Sequence, residues 1–425
     1  MLKNKKIFMF IILLVISGVT SIKFVFASET DVWTKVTDLP DARAANAVAE
    51  VNGIIYSIGG SAGAMPYKDV QAYNPATNTW TKKADMPTAR SSASVVVADG
   101  KIYVFGGYTG NFYSWTGGSA VNTVEMYDPL TDSWTTKSPM LFPAGSTSAV
   151  NYNNKIYVFG GLTTNVTSIA KVQVYDTQND SWSEKRSIPQ AIHGTGAVTY
   201  NDKIYLVGGR YIGNNVAVDF FQEYDPLNDS WMMKTSLPTL RNAPSVVVYK
   251  NNIIAIGGST PNVETASVVG YDFTTNSWSA FPSLNDARAG SSAVVYKDRI
   301  FVFGGSKQTT SNSPVGSVEV YGTETPEPTT TPTPTPTPSP SPEQSIGNRA
   351  ILVVTMITGL EKEFDLSLEE VNNFITWYES KQSGSGTAAY AINKHDNNKG
   401  PFTIRKDYII FDKILTFEVN EYTLK

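Results

Sequence analysis

The chain has 425 residues, of which 41% are hydrophobic and only 17% are charged, against about 25% charged residues in an average protein. This length and apolar content exclude global disorder and allow two or three domains. The absence of cysteine excludes disulfides, thiolate metal sites and a cysteine nucleophile. The two histidines, His193 and His395, are too far apart in sequence to indicate a metal-binding motif, so no cofactor or metal is expected. The net charge of −4 provides no basic surface for nucleic acid.

Residues 1–27 are typical of a secretory signal peptide. Three lysines precede an apolar run at residues 7–16, and a small-residue cleavage motif ends at Ala27. The alternative is an uncleaved membrane anchor, but Lys23 interrupts the apolar run before it reaches the roughly 20 residues that a spanning helix needs. Cleavage would remove four lysines and change the net charge from −4 to −8. An exported chain without cysteine is typical of a bacterial protein that is secreted or held at the cell surface.

A repeat fills the next 290 residues or so. Six glycine pairs close short strand-like runs such as IYVFGG, at Gly59-Gly60, Gly106-Gly107, Gly160-Gly161, Gly208-Gly209, Gly257-Gly258 and Gly304-Gly305. A tryptophan precedes the first glycine of every pair by 26 residues, at Trp33, Trp80, Trp134, Trp182, Trp231 and Trp278. Five of these tryptophans follow a tyrosine by seven residues, across turn-forming segments such as YDPLTDSW. This periodicity predicts an array of similar structural units.

Each repeat predicts four short antiparallel strands. In the second repeat they are the run Ser94 to Ala98, the segment IYVFGG, the segment VEMYD, and a strand that begins at Trp134. A four-stranded sheet repeated about every 47 residues is typical of a β-propeller blade. Trp33 lacks a preceding tyrosine and Tyr321 lacks a following tryptophan, so a first strand near Trp33 completes the last blade. This pairing would close the ring at six blades and leave no open sheet edge between its two ends.

The doubled glycines, the tyrosine and tryptophan offsets and the Pro-x-x-Arg segments resemble kelch repeats over residues 31–322. The resemblance implies an all-β six-bladed propeller. It leaves function open, because kelch propellers include protein-binding adaptors, galactose oxidases and sialic acid epimerases or mutarotases. A copper site like that of galactose oxidase needs a cysteine and is excluded.

The interval from each glycine pair to the following tyrosine, which contains the connection between the second and third strands, varies from 14 to 21 residues, whereas the interval from tryptophan to glycine pair is constant. Length variation is therefore confined to one face, where ligand binding is expected. Four arginines, each 16 residues before a glycine pair, belong to the same face: Arg43, Arg90, Arg241 and Arg288. They either ring the channel mouth as an anion site or join neighbouring blades through backbone carbonyls. His193 follows the position where blade 4 lacks this arginine, and either lines the mouth or is structural.

The longest loop, after Gly107, contains Tyr113 and Trp115, and Trp115 is the one propeller tryptophan outside the repeat register. Aromatic residues among Gly and Asn can stack on sugar rings or anchor a protein partner, and the alternative is that they pack on their own blade. Carboxylates that could serve an epimerase-like enzyme acting on an anionic sugar are Asp69, Asp219, Glu264 and Asp286. Glu125 and Glu319 belong to the strand pattern and are expected to face solvent. No catalytic residue is singled out.

Residues 323–345 form a Pro/Thr-rich tract that predicts an extended spacer of roughly 70 Å at most. Residues 346–425 predict a small α+β module with a helix capped by Ser367 and Glu370. Its text KHDNNKGPF is similar to a C-terminal module of secreted, repeat-containing proteins of Firmicutes. Asp396 and the two asparagines after it are expected to form a surface turn. A calcium site is the alternative, but the acidic spacing of a calcium loop is missing. Association with the cell wall is a further expectation for this module, although the sorting motif LPxTG is absent.

The sequence therefore predicts an extracellular or cell-surface binding protein that uses the variable loop face of a propeller to bind a glycan or a protein. The competing interpretation is a carbohydrate-active propeller enzyme that acts on an anionic sugar.

Overall fold

The computed structural model of the chain describes residues 32–63, 65–110, 118–211, 216–260, 263–307, 313–322, 349–356, 361–382, 389–393, 406–411 and 414–422. The chain divides into two compact units, Met1–Glu327 and Pro328–Lys425. The predicted signal peptide, the Pro/Thr tract, His395 and Asp396 lie outside the described residues, as do Tyr113 and Trp115. Among the described residues, no helix has the length and hydropathy needed to cross a bilayer.

The described part of the first unit contains six four-stranded antiparallel sheets, called blades here and numbered along the chain. Their strands, in chain order, are as follows: blade 1, Ala47–Val51, Ile54–Ile58, Val70–Asn74 and Thr79–Lys83; blade 2, Ser94–Ala98, Lys101–Phe105, Val124–Asp128 and Ser133–Lys137; blade 3, Ser148–Tyr152, Lys155–Phe159, Val172–Asp176 and Ser181–Lys185; blade 4, Gly196–Tyr200, Lys203–Val207, Phe221–Asp225 and Ser230–Met233; blade 5, Ser245–Tyr249, Asn252–Ile256, Val268–Asp272 and Ser277–Phe281; blade 6, Ser292–Tyr296, Arg299–Phe303 and Val318–Tyr321, with Thr34–Lys35 as its outer strand. The four strands predicted for the second repeat are confirmed, with the fourth beginning one residue earlier, at Ser133.

The ends of the array pair as the two unmatched aromatic residues predicted. Thr34 lies opposite Val320 and Lys35 lies opposite Glu319 in an antiparallel register. The rings of Trp33 and Tyr321 are 5.4 Å apart. The first strand of each blade neighbours the first strand of the next, and the first strand of blade 6 neighbours that of blade 1, so the inner strands form a closed ring.

The repeated tryptophans join neighbouring blades. The indole N–H of Trp134 donates to the carbonyl of Ala84 at 2.9 Å, and the other five repeat tryptophans make the same kind of bond to the preceding blade, at 2.7 to 3.3 Å. In blade 2 the Tyr127 hydroxyl donates to Asp132, whose carboxylate also accepts the backbone N–H of Ala84. Asp132 has a φ of 49°, a conformation that Asp and Asn tolerate better than most residues. The turn residues, the tyrosine and the tryptophan therefore act together as an inter-blade clamp.

The glycine pairs are required by close backbone packing. Both glycines of each pair have positive φ. A Cβ atom on Gly106 would lie 2.2 Å from the carbonyl oxygen of Ala144, at the start of the next blade. The residue at this position accepts a hydrogen bond from the second glycine of the preceding blade in all six cases. The doubled glycine thus lets consecutive blades approach each other at the loop face.

The second unit, by itself, has a three-stranded antiparallel sheet in the order Glu361–Ser367, Arg349–Met356, Ile414–Tyr422. A separate pair of strands, Ala389–Asn393 and Lys406–Ile410, and the helix Leu368–Gln382 complete its described elements. Val371, Phe374 and Trp377 of the helix are buried in one core with alternate residues of the sheet.

The predicted capping box is present at the start of this helix. The N–H of Glu370 donates to the Ser367 hydroxyl, and the Ser367 N–H donates to the Glu370 carboxylate at 3.0 Å.

Candidate functional site

The four arginine side chains at these equivalent positions lie inside the blades. Each is at most 1% exposed, and none lines the central cavity. In every case Nη1 donates to the carbonyl of the first glycine of the same blade, for example from Arg90 to Gly106 at 2.7 Å. The backbone carbonyl of Arg90 accepts the N–H of Gly60 in the preceding blade. The structure therefore does not place Arg43, Arg90, Arg241 and Arg288 at the channel mouth, and each of them joins two blades instead.

Carboxylates neutralise three of these four arginines. Arg90 pairs with Glu125 at 2.7 Å and Arg288 with Glu319 at 2.6 Å, with all four side chains at most 2% exposed. The expectation that Glu125 and Glu319 face solvent is wrong, because the third strand of each blade is covered on both faces by neighbouring blades. Burial lowers the pKa of Arg90 and of Arg288, while the glutamate beside each one opposes that shift.

Blades 1 and 5 vary this arrangement. Arg43 forms a two-pronged ion pair with Asp69, at 3.0 and 2.8 Å. Burial acts to raise the pKa of Asp69, but the hydrogen bonds and charge of Arg43 outweigh it and lower that pKa. Within the described residues Arg241 forms no ion pair, and its guanidinium donates to Gly257 and to Ser267. Burial lowers the pKa of Arg241 to about 10.

A closed ring of backbone hydrogen bonds surrounds the channel mouth. It involves the residue 14 positions before the first glycine of each pair, and these six residues are called the collar: Ala45, Ser92, Ser146, Gly194, Ala243 and Gly290. Each collar N–H donates to the collar carbonyl of the preceding blade at 2.8 to 3.1 Å, and the ring closes from blade 1 to blade 6. All six collar residues have φ between 50° and 62°. The mouth is therefore a rigid rim of small residues with engaged backbone groups.

Below the collar, hydroxyl groups of the inner strands reach across to the next blade. Ser94 donates to the carbonyl of Thr147 at 2.8 Å and Ser148 donates to that of Thr195 at 2.6 Å. Equivalent bonds join blade 5 to blade 6 and blade 6 to blade 1. They are missing where the first strand begins with Ala47 or Gly196, which have no hydroxyl.

The collar and the inner strands line a cavity of about 230 Å³. Its described lining consists of Ala, Ser, Thr, Gly, Val, Pro and Asn46, and none of these side chains is charged or titratable. The side chain of Asn46 is 4% exposed and donates to Ser57 at 3.1 Å. The cavity thus offers hydroxyl and amide groups in a neutral wall.

The four candidate carboxylates also lie away from this lining. Asp69 is paired with Arg43, as described above. Asp286 accepts hydrogen bonds from Lys35 and Lys307, and these bonds lower its pKa to about 2. Asp219 and Glu264 lie in the loops of blades 4 and 5. Among the described residues, no group of three or more potential metal ligands is found.

His193 is 8% exposed and contacts the loop of the preceding blade. Its Nδ1 is 2.9 Å from the Ser168 hydroxyl, and its backbone pairs with Arg210. Burial, with a further contribution from the charge of Arg210, lowers the pKa of His193 to about 4. The imidazole is therefore neutral at pH 7 and links blades 3 and 4. In the sequence, the only sign of this role was the absence of an arginine at the preceding position.

Two loops on this face have secondary structure of their own. Tyr108–Thr109 pairs with Ser119–Ala120, and this ribbon is called the blade-2 stem. Arg210–Tyr211 pairs with Val216–Ala217 in blade 4. The Tyr108 hydroxyl donates to the carbonyl of Leu162 at 2.8 Å, and its ring occupies the space that a Cβ atom on Gly145 would need. Tyr113 and Trp115 belong to the segment that the blade-2 stem carries, outside the described residues.

Six similar antiparallel four-stranded sheets with kelch-type glycine, tyrosine and tryptophan positions define a kelch-type β-propeller. A family model described as the Attractin/LZTR1 β-propeller matches residues 55–315, and the chain belongs to this family.

Several known proteins are similar to parts of the chain. An uncharacterized protein of Clostridium acetobutylicum is 31% identical over 80 residues, which are 19% of this chain and 20% of that protein. Kelch-like protein 35 of Mus musculus is 32% identical over 147 residues, 34% of this chain and 24% of that protein. The chain thus spans about a quarter or less of these relatives. The structure of YjhT has a TM-score of 0.59 at 18% identity, covering 67% of this chain and 95% of that one, a likeness of fold.

Proposed function

We propose that the chain is an extracellular or cell-surface binding protein whose loop face binds a glycan or a protein. The observation that carries this proposal is that the interior groups join the blades together, whereas the loops vary in length and structure. The buried arginines, the collar and the inner-strand hydroxyls are engaged in joining blades. Length differences and extra ribbons occur in the loops above them. Variable loops on a rigid scaffold are the usual basis of binding sites in such folds.

Rigidity of the rim supports binding rather than large conformational change. A partner that contacts the loops meets a backbone already fixed by the collar, so little conformational entropy is lost on binding. The central cavity has a volume of about 230 Å³ and is lined by small neutral side chains. We therefore place recognition on the loops and the rim, with the channel as at most an extension of that surface.

An epimerase-like enzyme for an anionic sugar is less well supported. Such an enzyme needs a cation to hold the carboxylate and a general base within hydrogen-bond reach of the transferred proton. The described cavity lining provides neither group, and the arginines that were candidates are occupied by carbonyls and carboxylates.

Export is part of the proposal. The signal-like residues 1–27, the absence of cysteine and the Pro/Thr tract at 323–345 favour a secreted chain with two modules. The resemblance of the second unit to modules of secreted proteins supports association with the cell surface, with the propeller as the binding module.

The absence of cysteine allows a direct test of which face binds. Ser119→Cys on the blade-2 stem and Thr274→Cys in a hairpin on the opposite face are both at exposed sites and can each be coupled to a large polyethylene glycol maleimide. The mature chain is applied to an oligosaccharide array and to a protein array. Coupling at Ser119→Cys is expected to abolish binding, and coupling at Thr274→Cys to leave it intact. Equal binding by both conjugates, or binding by neither unmodified variant, contradicts the proposal.

A further inference from the structure

The loop of blade 3 contains a strained turn at Thr163–Ser168, called the blade-3 turn. The N–H of Val166 donates to the carbonyl of Thr163, and the N–H of Thr163 donates to the carbonyl of Thr167, both at 3.0 Å. Val166 has a φ of 56°, a conformation that is unfavourable for a β-branched residue. Tight hairpins of this kind usually place glycine there. Val166 is therefore held in a conformation that its own backbone preference opposes.

Contacts on both sides hold the turn in place. Towards blade 2, Val166 packs against a cluster that contains Tyr108 and Ala120, and the backbone N–H of Ala120 donates to the Thr164 hydroxyl at 2.9 Å. Towards blade 4, the Ser168 hydroxyl meets the His193 imidazole. The turn is thus fixed between two neighbouring blades, and strain that persists under such constraint is typical of functional sites.

The outer surface of the turn is polar and uncharged. Thr164, Asn165 and Thr167 are exposed, and within the described residues the Asn165 amide makes no hydrogen bond. Residues 108–122 and 162–170 contain no Asp, Glu, Lys or Arg. The blade-3 loop ends one residue later at Lys171, whose ammonium pairs with Glu184 at 2.8 Å. The loops of blades 1, 4, 5 and 6 all carry charge before their last residue: Lys68 in blade 1, Arg210 in blade 4, Glu264 in blade 5 and Lys307 in blade 6.

We propose that the blade-3 turn and the blade-2 stem form the ligand-binding part of the loop face and that their ligand is a neutral oligosaccharide. This inference rests on the proposed function and narrows it. Hydroxyl and amide groups can donate to and accept from sugar hydroxyls. A carboxylate or sulfate on the ligand would lose water at this surface, where the stem and the turn offer no cation and Lys171 is already paired with Glu184, and this loss is unfavourable. The fixed backbone keeps the entropy cost of binding small.

The test compares an amide in the turn with an amide on the other face of the same blade. The array carries neutral gluco-, manno- and galacto-oligosaccharides beside oligosaccharides that contain uronic or sialic acid. Affinity for the strongest ligand is then measured by calorimetry for the mature chain, for Asn165→Ala and for Gln178→Ala. Gln178 is exposed in the hairpin between the third and fourth strands of blade 3 and is the matched control.

Neutral oligosaccharides are expected to bind, Asn165→Ala to weaken binding about tenfold through lost hydrogen bonds, and Gln178→Ala to leave the affinity unchanged. Val166→Gly should also weaken binding, because it removes the side-chain packing that holds the turn against blade 2. Binding confined to acidic oligosaccharides, or an Asn165→Ala affinity equal to that of the unmodified chain, overturns the inference while the polyethylene glycol test can still support loop-face binding. Binding to no oligosaccharide also overturns it, and the protein array then decides the proposed function separately.

Discussion

Blades 2 and 6 each contain a buried Arg–Glu ion pair, whereas blades 3 and 4 have neutral side chains at the equivalent positions. Where blade 2 has Arg90 and Glu125, blade 4 has Ile192 and Gln222. In both blades the backbone carbonyl of the residue at the arginine position nevertheless accepts the N–H of the second glycine of the preceding blade. The guanidinium is therefore one of two ways to complete a blade, which explains why its presence in four blades does not indicate a ligand site.

The strongest test of this comparison removes one half of the ion pair. Glu125→Ala leaves Arg90 buried and without a countercharge, and loss of one partner from such a pair usually costs about 3–5 kcal/mol of stability. The expected result is a clear fall in the urea midpoint of the propeller, measured by tryptophan fluorescence.

The control copies blade 4 into blade 2. The double variant Arg90→Ile, Glu125→Gln removes both charges together, and replacement of a whole buried pair is often close to neutral. It should recover most of the stability lost in Glu125→Ala. If the double variant is as unstable as the single one, the two blade types are not equivalent solutions and the guanidinium has a further role.

The next effect concerns pH, and it belongs to blade 4. Folding lowers the pKa of His193 to about 4 from its ordinary value of 6.5. The folded state binds this proton less readily than the unfolded state, so His193 gives its full contribution above pH 6.5 and the contribution is lost as the pH falls towards 4. A shift of this size corresponds to about 3 kcal/mol.

Comparison with His193→Gln isolates this contribution from the carboxylates that also titrate in acid. Thermal unfolding midpoints are measured for both proteins from pH 7.5 to 4. The difference between them should shrink or reverse as the pH falls. Parallel curves over the whole range would show that the imidazole titrates normally in the folded protein.

The positions of tryptophan, tyrosine and glycine predicted the strands and the pairing of the two ends because each residue has a fixed backbone or clamp role within one repeat. Burial of Glu125 and Glu319 was not predictable from alternation, since a middle strand of a propeller is covered on both faces. Arg90 and Glu125 are 35 residues apart, and no local pattern links them. The collar could not be predicted from the sequence either, because its positive-φ positions are occupied by Ala, Ser and Gly and therefore share no residue type.

The smallest expected effect uses blade 5, where an arginine is buried without an ion pair among the described residues. Arg241→Ile removes three hydrogen bonds to Gly257 and Ser267 but also removes a desolvated charge whose pKa is lowered to about 10. These opposing contributions should leave the stability within about 1 kcal/mol of the unmodified chain. The same substitution at Arg90 leaves Glu125 buried without its partner, and should cost about 3 kcal/mol or more. Urea midpoints of the two single variants give the comparison directly. Equal losses would mean that the carbonyl hydrogen bonds, which both arginines make, dominate over the countercharge, and that the contrast between charged and neutral blades is not electrostatic.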